Sequence, residues 1–306
     1  MESFPFKKLV VGCDLEGRSN EALRVALGFA KRNSARIELI HGVNIPPPEC
    51  VAGDPVNVAS MNAEIMNRTW QHLEQKTRAI FDELEFKCSS MEDVLTVGPG
   101  PHGRLLLDRA RDIDADVIFL GPHNPTGMFD FGGTARAVLA HAPGGVWVQP
   151  GPCTPIRRIL APIDLSPQSM ASLAVAKVLA KDMGASLTVL HAFEPPDFAY
   201  APDISGYPVG GPAYNESEVQ EGARRAFLSA MDAVDWNGIQ HESIFQSGKP
   251  TPLILNQSKD HDLIVLGSHG RTGLSAVVLG NVAYGVLKSS KTPVLALRDP
   301  AREWLV

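Results

Sequence analysis

The chain has 306 residues, about twice the length of a typical single domain, so its length predicts two domains. Its 44% hydrophobic and 20% charged residues are typical of a globular protein, and its net charge of -6 does not indicate a nucleic-acid partner. No apolar stretch reaches the roughly 18 residues of a membrane span, and residues 1–5 do not resemble the start of a signal peptide, so we expect a cytoplasmic protein.

The four cysteines lie far apart in the chain and form no CxxC pair, and no histidine lies near them at metal-ligand spacing. We therefore expect no zinc site, no disulfide framework and no other metal site. Cys13 lies inside an apolar run, which is typical of a small core side chain.

The sequence contains an internal repeat that keeps its register over long stretches. Because chance matches drift in offset, a register held across predicted strands and helices indicates duplication of one domain. The aligned blocks are residues 7–41 with 157–191, at an offset of 150, and residues 116–123 with 262–269, at an offset of 146. We expect domains at residues 1–150 and 155–306, joined by a short Pro-rich linker.

Within each copy, short apolar runs that predict buried strands alternate with helical spacing of apolar residues. The first strand, first helix and second strand are expected at residues 8–14, 19–33 and 37–41, and at 158–164, 169–183 and 187–191, with Ser19 and Ser169 as helix N-caps. Two Pro/Gly-rich stretches, expected to be lids or partner surfaces, precede long helices; these stretches are residues 44–60 and 194–215, and the helices are 63–86 and 216–235.

This alternation predicts an α/β fold of two tandem doubly wound parallel-sheet, Rossmann-like domains. Such sheets bind ligands beyond the carboxyl ends of their strands, where the strand order reverses. The last predicted strands, residues 146–149 and 293–298, include Trp147 and are expected to be core.

A glycine-rich loop follows the predicted strand 263–266 of the second copy. It reads Gly267-Ser268-His269-Gly270-Arg271-Thr272-Gly273, and Gly280-Asn281-Val282 follows at the start of the last predicted helix. Glycine lets main-chain N–H groups approach an anion, and a helix start offers unpaired N–H groups and a positive dipole end. We predict that the amides of residues 267–270 and 280–282 converge on one anion.

The stretch GSHGRTGLSAVVLGN, with Asp164 ending the first strand of the same copy, closely resembles the universal stress protein family, and the duplicated layout resembles its tandem, type E members. The resemblance implies an adenine nucleotide-binding-like fold that often holds ATP. By position it implies a carboxylate near ribose and adenine, a wall beside the base, a main-chain contact to adenine and a phosphate loop. These roles fall, in that order, on Asp164, Pro162, Ala192 and the loop positions Gly267, Gly270, Gly280 and Asn281. Ser268, Arg271 and Val282, which lie beside these loop positions, are further candidates for nucleotide binding.

Two departures from the family pattern bear on ligand binding. Asn281 stands where ATP-binding members usually have Ser or Thr; its amide can donate to phosphate but is bulkier. In the first copy Asn124 replaces the second loop glycine, Pro122 lacks an N–H, and the spacing is one residue short. We interpret the first pocket as degenerate, with a weaker second site at Asp14, Gly42, Gly121, Gly133 and Thr134.

Several of these residues also have a simpler interpretation. Asp14 and Asp164 are either ligand carboxylates or turn and cap residues. His41 and His191 are interpreted as hydrogen-bonded structural histidines. His269 is expected to face solvent, and Arg271 either pairs with phosphate or is solvated.

In the family the last strands pair across a dimer axis. Here they are therefore expected to pair between the two copies, as an internal pseudo-dimer, with further homodimerisation left open.

The leading functional hypothesis is a stress-response regulatory protein that binds adenine nucleotide, ATP with Mg²⁺, in its second copy. The alternative is an interaction or scaffold protein with unknown protein partners. In that case the pockets of this chain are vestigial or hold another small ligand. A third hypothesis is an ATP-cleaving enzyme of this fold, but the sequence lacks the S-G-G-x-D-S loop that such enzymes use. No Walker loop, nucleophile elbow or HExxH motif is found, so we expect no catalytic residues and at most slow, incidental ATP hydrolysis.

Overall fold

The computed structural model describes residues 6–45, 55–122, 133–195, 216–268 and 279–298, which form one ten-stranded sheet with helices on both faces. The strands are β1 Lys8–Gly12, β2 Arg36–Val43, β3 Leu95–Pro99, β4 Val117–Leu120, β5 Gly145–Val148, β6 Arg158–Ile163, β7 Ser186–Phe193, β8 His241–Ser247, β9 Leu263–Gly267 and β10 Val294–Leu297. The helices are α1 Asn20–Asn33, α2 Pro55–Glu83, α3 His102–Asp112, α4 Gly133–His141, α5 Pro167–Met183, α6 Glu216–Asp232, α7 Pro250–Gln257 and α8 Asn281–Ser289.

The strand order is the same in both halves of the sheet. It runs β3-β2-β1-β4-β5-β10-β9-β6-β7-β8, so each half reverses direction beside its own first strand. Neighbouring strands within each half are parallel, whereas β5 and β10 pair antiparallel, with Trp147 opposite Leu295. The doubly wound parallel architecture is confirmed, and the two copies join along their last strands, as the sequence predicted.

Helices of both halves share each face of the sheet. One buried cluster contains side chains of α1, α2, α5 and α6, such as Leu23, Leu73, Leu173 and Phe227. The other contains side chains of α3, α4, α7 and α8, such as Leu106 and Val286. Each cluster extends across the seam, so the apolar surfaces of the two copies form continuous layers.

A charged pair shows that the copies are related by a pseudo-two-fold axis. Arg32 Nη1 lies 3.4 Å from Asp182 Oδ2, and these two residues occupy equivalent positions of the repeat. Equivalent positions contact each other only near a two-fold axis. The pair attracts because the copies differ here; two identical copies would place like charges together.

Two sequence-based helix starts were wrong. Helix α2 begins at Pro55, before the expected residue 63, because proline is well suited to the first helical position. Helix α5 has Ser166 as its N-cap, whose hydroxyl accepts from the Ser169 N–H at 3.2 Å, so Ser169 lies inside the helix. Ser19 is the N-cap of α1, as expected. Most of the expected lid at 194–215 lies outside the described residues.

None of the helices in the described ranges combines the length and the apolarity that crossing a bilayer requires.

We expect the buried Trp147 to be a major contributor to stability at the seam. Its side chain is fully buried and stacks on Phe119, with 5.6 Å between the ring centroids. Its Nε1–H donates to Gln149 Oε1 at 3.0 Å. Replacing Trp147 with Ala should lower the free energy of unfolding by about 3–5 kcal/mol in urea titrations, because a large cavity is left. Met61→Ala, at a 53% exposed position, should change it by less than about 0.5 kcal/mol. Similar losses in the two variants would contradict this packing.

Candidate functional site

Each half of the sheet has one place where the strand order reverses. In the first half it lies between β1 and β4, and in the second between β6 and β9. Ligand crevices of doubly wound sheets lie there, beyond the carboxyl ends of the strands. Asp14 and Gly121 follow β1 and β4, and Asp164 and Gly267 stand at the corresponding ends of β6 and β9. The topology therefore brings the predicted carboxylate and the predicted loop start to the same edge in both copies.

Hydrogen bonds tie the end of β9 to the start of α8. The Gly280 N–H donates to the Ser268 carbonyl at 2.8 Å, and the Ser268 N–H donates to the Leu297 carbonyl at 2.8 Å. The two ends of the predicted phosphate loop therefore lie side by side. The rest of that loop, including His269, Gly270 and Arg271, lies outside the described residues.

The first turn of α8 has main-chain donors that the helix itself does not satisfy. Its N-cap is Gly280, which has no side chain to cap the helix. Asn281 and Val282, the first two helical residues, are exposed. The amides of Ser268 and Gly280 donate within the chain, so the donors that fit an anion here are those of Asn281 and Val282.

The carboxylates of the two copies have different partners. Asp14 Oδ1 accepts from the Arg18 N–H at 3.0 Å and its Oδ2 from the Ser19 N–H at 2.9 Å, so both oxygens brace the turn before α1. In the second copy, Asp164 Oδ1 accepts from the N–H and the hydroxyl of Ser166, at 3.0 and 2.5 Å. The cap interpretation thus fits both oxygens of Asp14, whereas the Ser166 contacts engage one oxygen of Asp164.

In the second copy the hydroxyl of Ser166 accepts from the Ser169 N–H and caps α5, whereas in the first copy Asp14 binds the equivalent N–H of Ser19. Leu165 adopts a left-handed φ of 64°, which turns the chain sharply between β6 and the helix. The first copy instead makes a longer turn, and α1 begins only at Asn20.

The first copy is tightly packed at its switch point. A Cβ on Gly121 would lie 2.7 Å from the Arg18 carbonyl oxygen and 2.8 Å from Ser19 Cα. Gly121 is therefore needed for close contact with the Asp14 turn. Gly133 and Thr134, also predicted for the weaker site, are the first two residues of α4.

The repeated histidines His41 and His191 have a structural role, as predicted. Nδ1 of His41 lies 2.7 Å from the Cys13 carbonyl oxygen, and Nδ1 of His191 lies 2.9 Å from that of Ile163. A carbonyl only accepts, so Nδ1 carries the proton in each ring. The His191 ring also stacks on those of Phe227 and Phe245, with centroid distances of 5.4 and 5.5 Å, and the three rings form one aromatic cluster. The adjacent Ala192 and Pro162, the predicted base contacts, are both half-buried.

Sequence reasoning missed His102, the first residue of α3. Its Nδ1 accepts the Gly42 N–H at 3.0 Å, and its ring lies 5.3 Å from that of His41. Burial is the largest cause that lowers the pKa of His102 from 6.5 to about 4. The neighbouring His41 lowers it further, and Asp14 acts in the opposite direction.

Cys13, at the same end of β1, is a buried core cysteine. Burial, and to a smaller extent Asp14, raise the pKa of its thiol to about 12.

Two surface clefts lie near the carboxyl edge, and neither is the predicted phosphate loop. The larger, about 790 Å³, lies between α3 and α4 of the first copy and is lined by Gly42, His102, Arg104, Arg111 and His141, among others. The smaller, about 430 Å³, lies between α6 and β8 and includes Arg224 and Phe245. Within the described ranges, no three His, Cys, Asp or Glu side chains come together as a metal site requires.

The depressed pKa of His102 predicts a pH-dependent stability. The unfolded chain takes up this proton near pH 6.5 and the folded chain near pH 4, so acidification between these values favours unfolding. His102→Asn keeps an acceptor for Gly42 but does not titrate. From pH 6.5 towards 4, the free energy of unfolding of the wild type should fall more steeply than that of the variant, by up to about 1.4 kcal/mol per pH unit. Parallel curves in urea titrations would contradict the burial of a neutral imidazole.

Comparison with known proteins agrees with this architecture. The model of the universal stress protein family matches residues 5–150 and again residues 155–298. A universal stress protein of Mycolicibacterium smegmatis is 26% identical over 303 residues, which covers 95% of this chain and 96% of that protein. The universal stress protein YxiE of Bacillus subtilis is 32% identical over 147 residues, 46% of this chain and 98% of its own length.

A solved structure supports the fold along nearly the whole chain. The crystal structure of a universal stress protein from Archaeoglobus fulgidus superposes with a TM-score of 0.64 at 18% identity, covering 95% of this chain and 97% of that one. The repeat, the doubly wound halves and the double family match agree. The chain belongs to the universal stress protein family, as a tandem member with two copies of the family's domain.

Proposed function

We propose that this stress-response protein is a regulator that binds an adenine nucleotide, ATP, in its second domain, residues 155–306. The observation that carries the proposal is the hydrogen bond from the Gly280 N–H to the Ser268 carbonyl. It holds the open N-terminus of α8 beside the carboxyl end of β9, next to the end of β6 where Asp164 lies. Phosphate, ribose and base would then lie along one edge of the sheet.

In this proposal each part of the nucleotide has its own partner. The amides of Asn281 and Val282 bind phosphate at the positive end of α8, together with Gly270 and Arg271 of the loop. Asp164 accepts from ribose, and the main chain of Ala192 pairs with the base beside Pro162. Mg²⁺ would arrive with the triphosphate, whose oxygens it prefers.

The proposal is one of binding without dedicated turnover. His191, the buried histidine beside Ala192, donates its Nδ1 proton to a main-chain carbonyl and packs against two aromatic rings. A group held in this way is a poor general base, because a catalytic base must reach the reacting proton. Occupancy of the pocket would instead select among conformations that partners recognise.

A second candidate function is an interaction protein that binds no nucleotide. The observation that favours it is the commitment of the Ser268 and Gly280 amides within the chain, which leaves fewer donors for a triphosphate. The experiments below separate the two functions.

The aspartate test uses two variants with the same change of charge. Asp164→Ala should remove most of the stabilisation by ATP, whereas Asp260→Ala, exposed at the opposite edge of the sheet, should keep it. At a hundredfold excess over Kd, ATP should stabilise the wild type by about 2.7 kcal/mol, measured by thermal melting. The purified wild type should also release adenine nucleotide on denaturation. A wild type that releases none and does not shift with ATP would favour the interaction protein.

The phosphate test separates helix stability from anion binding. Asn281→Asp places a negative charge at the first position of α8, where it interacts favourably with the helix dipole and should not destabilise the free protein. The same charge repels phosphate, so ATP affinity should fall at least about tenfold, or about 1.4 kcal/mol. Asn281→Ser, a neutral control, should retain binding. Equal ATP affinity of the Asp and Ser variants in titration calorimetry would place the phosphate elsewhere.

A further inference from the structure

Three equivalent positions at the carboxyl edge differ together between the two copies. The first copy has Gly12, Gly42 and His102, where the second has Pro162, Ala192 and Pro250. His102 and Pro250 correspond because each begins the helix after the third strand. Two residues before them, the amides of Gly100 and Gly248 donate to the equivalent carbonyls of Val43 and Phe193, both at 2.8 Å.

The two glycines of the first copy make room for the start of α3: Gly42 for its backbone at His102, and Gly12 for the side chains of Leu106 and His102. A Cβ on Gly42 would lie 2.6 Å from His102 Cα, and a Cβ on Gly12 would lie 3.2 Å from His102 Nε2. Neither Gly12 nor Gly42 has a left-handed φ, so close approach and not backbone conformation explains the glycines. A Cβ at Gly42, as in Ala192 of the second copy, would displace the backbone of His102, and a Cβ at Gly12, where the second copy has Pro162, would crowd the ring.

The histidine binds an amide that faces the ligand crevice. The Cys13 N–H donates to the Ile40 carbonyl at 2.9 Å, so Ile40 faces β1. Alternate residues of a strand face the same neighbour, so the main chain of Gly42 faces the space just beyond the end of β1. His102 Nδ1 accepts from that amide at 3.0 Å. A flat aromatic ring with an acceptor nitrogen is what a nucleobase would present there.

The imidazole is suited to remain in place. Its ring packs edge-to-face on His41 at 5.3 Å, and burial keeps it neutral, with a pKa of about 4, so Nδ1 stays an acceptor at neutral pH. The cleft between α3 and α4, lined in part by Gly42 and His102, leads to this ring from outside.

We infer that His102 occupies the base subsite of the first copy, excludes adenine from it and so confines nucleotide binding to the second copy. His102 is thus a specificity-determining residue, because its side chain fills the base subsite of the first copy. The inference rests on the proposed function for the role of the second copy, but its main test does not require that the second copy binds.

The first test measures gain of adenosine binding by equilibrium dialysis with radiolabelled adenosine, in full-length protein carrying Asp164→Ala. Adding His102→Ala should raise binding from below detection to one adenosine per chain. His102→Leu, which keeps bulk, and His102→Asn, which keeps the acceptor, should stay below detection. A folded His102→Ala protein that binds no adenosine would overturn the inference.

The second test moves the histidine into the other copy and covers the case in which His102→Ala does not fold. The triple variant Pro162→Gly, Ala192→Gly, Pro250→His should lose at least tenfold in ATP affinity, whereas the two glycine changes alone should lose less. Equal affinity of the two would overturn the inference. A wild type that binds no nucleotide while His102→Ala gains adenosine would contradict the proposed function alone.

Discussion

The hydrogen bond between the Gly280 N–H and the Ser268 carbonyl, 2.8 Å long, fixes the geometry on which the proposed site of the second copy depends. It joins the end of a buried strand to the start of a helix whose first amides have no intrahelical acceptor. Ser268 is in turn held to β10 through Leu297, so the helix start is anchored to the central seam of the sheet. The proposed ligand site and the joint between the copies are therefore parts of one bonded network.

The two copies show how one fold diverges through turn chemistry while its core stays the same. Strand order and the hydrogen bonds of His41 and His191 are preserved. The aspartate after the first strand braces a long turn in one copy, and in the other Ser166 takes over that capping role. Such changes cost little stability, because they exchange hydrogen bonds at the sheet edge and leave the buried layers unchanged.

Much of the fold was predictable from the sequence, because buried parallel strands and amphipathic helices have strong periodicity and the repeat provided each signal twice. The pairing of β5 with β10 followed from the family resemblance. The early start of α2 at Pro55 was missed, because a Pro/Gly-rich stretch was interpreted as loop throughout. His102 was missed because a lone histidine has no periodic signal. The glycines Gly12 and Gly42, at positions where the second copy has Pro162 and Ala192, could have indicated a close contact there.

The central claim, that an anion binds at the start of α8, is tested most directly by nuclear magnetic resonance of the amides themselves. In ¹⁵N-labelled protein titrated with ATP, the Asn281 and Val282 amide resonances should shift in proportion to occupancy. The resonance of the Gly42 amide, which already donates to His102, should not shift. Unchanged Asn281 and Val282 resonances at saturating ATP would contradict the account.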